Sequence, residues 1–152
     1  MARNYYKGKF QPKNPRKYEG DPTDIIYRSR WELRVMHAFD ENPKIIKWGS
    51  ETKVIPYFWS VDGKQHRYFT DFVIAAQAAD GRITKAIVEV KPYSQTIPPK
   101  KTKGKKASTL LEEQATFSKN QAKWAAAREY AKRYGYVFLI LTEKDIFPGK
   151  AY

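Results

Sequence analysis

Apolar side chains first recur at helical spacing beyond Ser29, where Val35, Met36 and Phe39 follow Glu32 at i+3, i+4 and i+7. Ser29 and Glu32 stand at capping-box spacing, which predicts a helix entered at Ser29. Asn42-Pro43 ends it, because a residue before proline is pushed out of the helical region. An earlier start at Asp21-Pro22, running through Ile25 and Ile26, fits the same pattern. Residues 53–60, 65–76 and 83–91 then read as strands. Their connectors, Asp62-Gly63 and Asp80-Gly81, are hairpin signals, so an antiparallel meander is expected. Pro56 places the first of these strands at an edge.

Residues 110–134 are rich in Ala, Glu, Gln, Lys and Arg, with Phe117 and Trp124 at helical spacing and Gly135 as the stop. The run Val137-Phe138-Leu139-Ile140-Leu141 lacks alternation, which predicts a buried strand. A helix between two strands is a crossover, and places this strand parallel to the third. The expected fold is α/β, ordered α-β-β-β-α-β: a mixed sheet flanked by helices. A basic arm over residues 1–20 precedes one domain over residues 21–152. No internal repeat is visible.

The 152 residues, 41% hydrophobic and 15% aromatic, suffice for one core and exclude disorder of the whole chain. With no cysteine, disulfides and thiolate zinc sites are excluded. No apolar run is long enough for a signal peptide or membrane span, so a soluble intracellular or virion protein is expected.

Charge changes the picture. Twenty-nine Lys and Arg against sixteen Asp and Glu give +13, which favours a polyanionic partner through counterion release. A basic ribosomal or capsid component would show the same excess. Before the first acid, Glu19, the chain carries Arg3, Lys7, Lys9, Lys13, Arg16 and Lys17, interleaved with Tyr5, Tyr6 and Phe10. Pro12 and Pro15 break any helix there, so an extended arm is expected. Residues 98–106 hold five lysines and nothing to pack, which predicts a mobile, solvated loop. Arg3, Lys7 and Lys9 of the arm, and Lys100, Lys101, Lys103, Lys105 and Lys106 of the loop, are the candidate DNA contacts. Simple solubility is the alternative reading of both blocks.

The candidate chemistry lies in acids that strands disfavour. Asp71 stands inside Tyr68-Phe69-Thr70-Asp71-Phe72-Val73-Ile74. Period two puts Glu89 and Lys91 on one strand face, with Val88 and Val90 on the other. Asp71, on an adjacent antiparallel strand, can approach that pair, and the first helix can aim Glu32 at the sheet. Half-buried carboxylates cost several kcal/mol unless paired or bound to a metal, and such oxygen donors suit Mg²⁺ or Mn²⁺. A metal there would polarise a phosphodiester and activate water, with a lysine stabilising developing charge. Each residue also has a plainer reading: Glu32 as a capping partner, Glu89 and Lys91 as a surface pair, Asp71 as a turn former. His37 and His66 lack metal-ligand spacing and read as structural or phosphate-contacting.

Arg28-Ser29-Arg30-Trp31-Glu32, Tyr68-Phe69-Thr70-Asp71-Phe72 and Val88-Glu89-Val90-Lys91 resemble the helix, second strand and ExK strand of the PD-(D/E)XK nuclease superfamily. These motifs look like those of the TnsA transposase subunit and of phage Holliday-junction resolvases, and the match spans residues 29–141. The resemblance implies a restriction-endonuclease-like core and a Mg²⁺-dependent deoxyribonuclease. It implies metal binding by Glu32, Asp71, Glu89 and the Val90 carbonyl, and catalysis by Lys91. Thr70 stands where the family name has proline. Some relatives add a polar residue from the following helix, for which Gln121 is the candidate.

The opening Asn4-Tyr5-Tyr6-Lys7-Gly8-Lys9-Phe10 and the chain length further resemble phage head-completion nucleases. That likeness implies action on double-stranded DNA after packaging and before head–tail joining, in the virion or host cytoplasm, beside portal or neck proteins. Two rival readings remain open: a non-catalytic neck or adaptor protein on a nuclease fold, and a dimeric Holliday-junction resolvase.

Overall fold

The structure, a computed structural model, describes residues 6–149; Arg3 and the Asn4-Tyr5 pair of the expected arm lie outside them. The first helix, α1 (Arg30–Glu41), starts where the capping signal placed it: Ser29 is extended, and its hydroxyl accepts from the Glu32 N–H. Asn42 caps its end. The earlier start is not taken. Asp21 instead folds a turn by accepting from the Thr23 N–H, and Ile25 enters the core from extended chain. Two short strands, β1 (Gly8–Lys9) and β2 (Ile26–Tyr27), pair antiparallel ahead of the helix.

The main sheet runs in the order β3-β6-β7-β8, with β3 (Ile45–Ser50), β6 (Phe72–Gln77), β7 (Ile83–Val90) and β8 (Tyr136–Leu141). Neighbours are antiparallel except β7 and β8, which are parallel across the crossover helix α2 (Ala107–Tyr134). Gly135 ends α2 at φ 77°, a left-handed conformation that other residues rarely adopt. A last short helix, α3 (Glu143–Ile146), closes on Thr142 through a capping box. This is a mixed α/β architecture consistent with a restriction-endonuclease-like core. Among the described residues no helix is long and apolar enough to cross a membrane.

Period two divides the sheet into two cores. Phe72 and Val88 pack with Val35, Met36, Phe39 and Trp48 on the α1 side. Ile87 faces the other way, onto Trp124, Ala127 and Ala131 of α2. Glu89 shares the Ile87 face by the same alternation.

The expected meander is not formed. The stretch 65–76 is two strands, broken at Thr70-Asp71. Its first half, β5 (Lys64–Phe69), pairs only with β4 (Val54–Trp59), and this hairpin leaves the main sheet to lay Ile55, Tyr57 and Tyr68 against α2. Pro56 fits the hairpin, which has no inner strand to demand its missing N–H. The place beside β6 is taken by β3, whose Lys47 and Gly49 spoil any clean alternation. β8 also differs: it is an edge strand, with Val137 and Leu139 exposed and Phe138 and Ile140 turned toward α2. The residues are apolar on both faces, but only one face has a full layer to cover it.

The two basic segments are more ordered than their composition suggests. From Gly8 on, the arm is docked: Phe10 is buried, and the buried carboxylate of Asp40 accepts from the Lys13 and Asn14 N–H groups at 2.8 and 3.0 Å. In the lysine loop, expected to be solvated, Lys105 folds inward and donates to Glu113 at 2.9 Å and to the Lys100 carbonyl at 2.8 Å. One acid on α2 thus gathers a loop that has no apolar anchor. Lys100, Lys101, Lys103 and Lys106 stay exposed, as do Lys7 and Lys9.

Candidate active site

The break at Thr70-Asp71 builds the site. Thr70 is fully buried and donates its N–H to the Lys53 carbonyl, which ties the hairpin base down. The Asp71 carbonyl accepts from Glu51, whose backbone is left-handed at φ 55° and whose carboxylate is gripped by Arg28 at 2.9 and 3.3 Å. Asp71 is therefore held as the residue entering β6. Since Phe72 pairs with Val88, Asp71 stands one step on, opposite Glu89. Its Oδ2 accepts from the Val90 N–H at 2.8 Å.

Glu89 is 6% exposed. The phenol of Tyr68, arriving from the hairpin, donates to its Oε2, and the Lys91 Nζ lies 3.7 Å from its Oε1. Glu32 comes from the first turn of α1 and accepts from the Arg28 N–H at 3.2 Å. A cavity of about 520 Å³ opens between these elements, and Glu32, Asp71, Glu89, Val90 and Lys91 all line it. Helix, strand break and strand end thus bring together the five residues that the sequence singled out.

Burial, followed by repulsion from Glu89, pushes the Asp71 carboxyl well above the ordinary range. Burial also raises Glu89, against the pull of Tyr68, Lys91 and Lys123, and raises Glu32, with Glu51 adding to the effect. Tyr68 is driven far up by burial and by Glu89, so its phenol keeps its proton. Three weakened acids around one cavity are an arrangement that a cation would relieve. Among the described residues, no three His, Asp or Glu side chains already converge as metal ligands. Glu32 is turned to the Arg28 backbone instead. The donor set still suits a hard divalent ion: carboxylate oxygens, a peptide carbonyl at Val90 and room for water.

Two residues of this neighbourhood carried no signal of their own in the sequence. Tyr68 was visible only as a strand aromatic; its inward direction follows from hairpin alternation once the break at Thr70 is known. Lys123 of α2 is half-buried, 5.7 Å over the Tyr68 ring. Burial lowers its pKa, with Lys91 reinforcing and Glu89 opposing. It adjoins Trp124, the anchor of the buried stripe, and that adjacency is the clue. Gln121 is half-buried and does not line the cavity.

The remaining candidates lie elsewhere. Lys9 is 3.8 Å from Asp24, and of the loop lysines Lys100 and Lys105 line a cavity against the first turns of α2. His66 stacks on Tyr57 and bonds Asp62 at 2.7 Å, and His37 meets the edge of Phe10.

Residues 42–143 match the family described as TnsA-like endonuclease N terminal. Asp71, Glu89 and Lys91 fall within that span, and Glu32 precedes it. Over 146 residues the chain is 45% identical to the Head completion nuclease of Enterobacteria phage T4, with 93% of each chain covered.

Proposed function

The chain belongs to the TnsA-like endonuclease family, and on that premise we propose a deoxyribonuclease that cuts with a divalent cation at Asp71, Glu89 and Lys91. The observation that carries this reading is the shared cavity of Glu32, Asp71, Glu89, Val90 and Lys91. Asp71, Glu89 and the Val90 carbonyl would hold the ion, with Glu32 beside them. Mg²⁺ or Mn²⁺ bound there supplies a Lewis acid for the phosphodiester and a more acidic water.

The chain's own groups do the rest. The Val90 N–H fixes the direction of Asp71, and Tyr68 fixes that of Glu89. Lys91, 3.7 Å from Glu89, brings a positive charge to the point where the phosphate gains negative charge. The exposed lysines at positions 7, 9, 100, 101, 103 and 106 supply longer-range attraction for DNA. Lys105 contributes less, because Glu113 already holds it.

The setting we propose is phage head completion, supported by 45% identity over 93% of the chain to a nuclease of that name. The substrate would be DNA exposed at the filled head before tail joining, and portal or neck proteins would be the neighbours. The test is incubation of the pure protein with plasmid DNA in Mg²⁺, Mn²⁺ or EDTA. Cleavage in either metal and none in EDTA is expected. No cleavage in both metals would overturn the enzymatic reading.

A further inference from the structure

We propose that Lys119 and Lys123, one turn apart on α2, carry successive phosphates of the DNA strand entering the cleavage site. The strand would follow the seam between α2 and the β4–β5 hairpin. This inference rests on the nuclease reading and adds the path by which the substrate arrives.

The seam has a direction. Lys119 lies 5.3 Å over the ring of Trp59, near the hairpin tip, and Trp59 is pinned to α2 through Ser118 at 3.1 Å. Lys123 lies 5.7 Å over the ring of Tyr68, near the hairpin base. The Tyr68 phenol touches Glu89, and Glu89 is beside Lys91. Residues i and i+4 share a helix face, so Lys119, Lys123 and Lys91 form a line of cations from tip to site.

Both residues are half-buried, yet neither Lys119 nor Lys123 joins any of the ion pairs found among the described residues. Lys123 feels the repulsion of Lys91 and Lys119 as well as the attraction of Glu89 and Asp71. Glu89 already has two closer partners, Tyr68 and Lys91. The aromatic rings steady the cations from one face and leave their N–H donors for an acceptor outside. A phosphate backbone supplies anionic oxygens in series, which is what a row of unneutralised cations lacks. In the lysine loop the situation differs, for Lys105 is spent on Glu113.

The test is fluorescence anisotropy of a labelled duplex oligonucleotide over a salt series in EDTA, where nothing is cut. Lys119→Met and Lys123→Met keep the apolar stems over Trp59 and Tyr68 while removing the charges, which guards against misfolding. Each should lower the log–log salt slope by about 0.9, and the double variant by twice that. Arginine at both positions should restore the slope. In Mg²⁺ under single turnover, Lys119→Met should raise the protein concentration needed for half-maximal cleavage. Lys123→Met should also slow the saturated rate at least tenfold.

If the double methionine variant keeps the wild-type slope and cleaves as wild type does, the seam is not the strand path, and the nuclease stands. If the wild-type protein shows the slope and the variants lose it, but no metal supports cleavage, the seam stands and the nuclease reading falls.

Discussion

Tyr68 and Glu89 belong to different sheets, yet the phenol of one donates to the carboxylate of the other. The contact makes the hairpin part of the site. Tyr68 favours the ionised form of Glu89 and is itself kept protonated by burial and by Glu89. Tyr68→Phe should therefore make Glu89 harder to ionise. Because cleavage needs the carboxylate, its acid limb should move to higher pH. Loss of a hydrogen bond to a buried charge should also lower stability by about 1.5–3 kcal/mol. Single-turnover rates against pH for both proteins check this, and an unshifted limb would count against the role given to Tyr68.

Asp71 and Glu89 offer an opposite balance of stability and activity. Both carboxyls are raised, so the folded protein retains protons that the unfolded chain has released. Between the ordinary carboxylate value and the raised one, metal-free stability must fall as pH rises. Asp71→Asn should remove part of that slope and stabilise the protein in EDTA at neutral pH by about 1 kcal/mol or more. Its amide oxygen can still accept from Val90. Cleavage should be abolished in Asp71→Asn and in Glu89→Gln, while DNA binding persists. Melting curves in EDTA at several pH values, beside a plasmid assay, read both effects.

What was legible in the sequence follows from local rules. The cap at Ser29 and the common face of Glu89 and Lys91 each depend on a few neighbouring residues, and the parallel β8 on the general rule for a helical crossover. The break at Thr70-Asp71 does not. Residues 65–76 are continuous in strand propensity, and only the competition of β3 for the flank of β6, with α2 covering the hairpin, divides them. The same limit hid Lys123, an ordinary helix lysine until α2 is laid beside Tyr68. In the lysine block only Lys105 departs from the solvated loop that composition predicts, for a related reason. A lysine block has no local reason to fold, but Glu113 supplies a distant one.

Asp40 anchors the N-terminal segment. Its carboxylate, 1% exposed, accepts two backbone N–H groups from Lys13 and Asn14, and its carbonyl accepts from Asn14 and Lys17 side chains. Asp40→Ala strands both N–H groups and should destabilise by roughly 2–4 kcal/mol. Residues 8–17 should then become the first site of proteolysis, and amide exchange there should speed up before the rest of the core. Unchanged protection in that segment would mean that Phe10 and the β1–β2 pairing hold it without Asp40.

Lys91 decides whether the cavity is a machine or only a charge cluster. Its Nζ sits 3.7 Å from Glu89, with the side chain 24% exposed, so as a mere ion-pair partner its loss would be felt in stability and not in rate. As a group that stabilises the attacking water or the developing phosphate charge, it is worth roughly 10²–10⁴-fold in rate. Lys91→Ala separates the two. The fold should persist, because Tyr68 and Lys123 still offset Glu89. Removing the cation makes Glu89 harder to ionise, but above its raised pKa it also removes repulsion toward an incoming ion, so Mg²⁺ should bind as well or more tightly. Calorimetric titration of Mg²⁺ and single-turnover cleavage on one preparation should thus diverge: binding kept, cutting lost by at least a hundredfold. Wild-type cleavage in Lys91→Ala would remove the lysine from the mechanism while leaving the carboxylate site untouched.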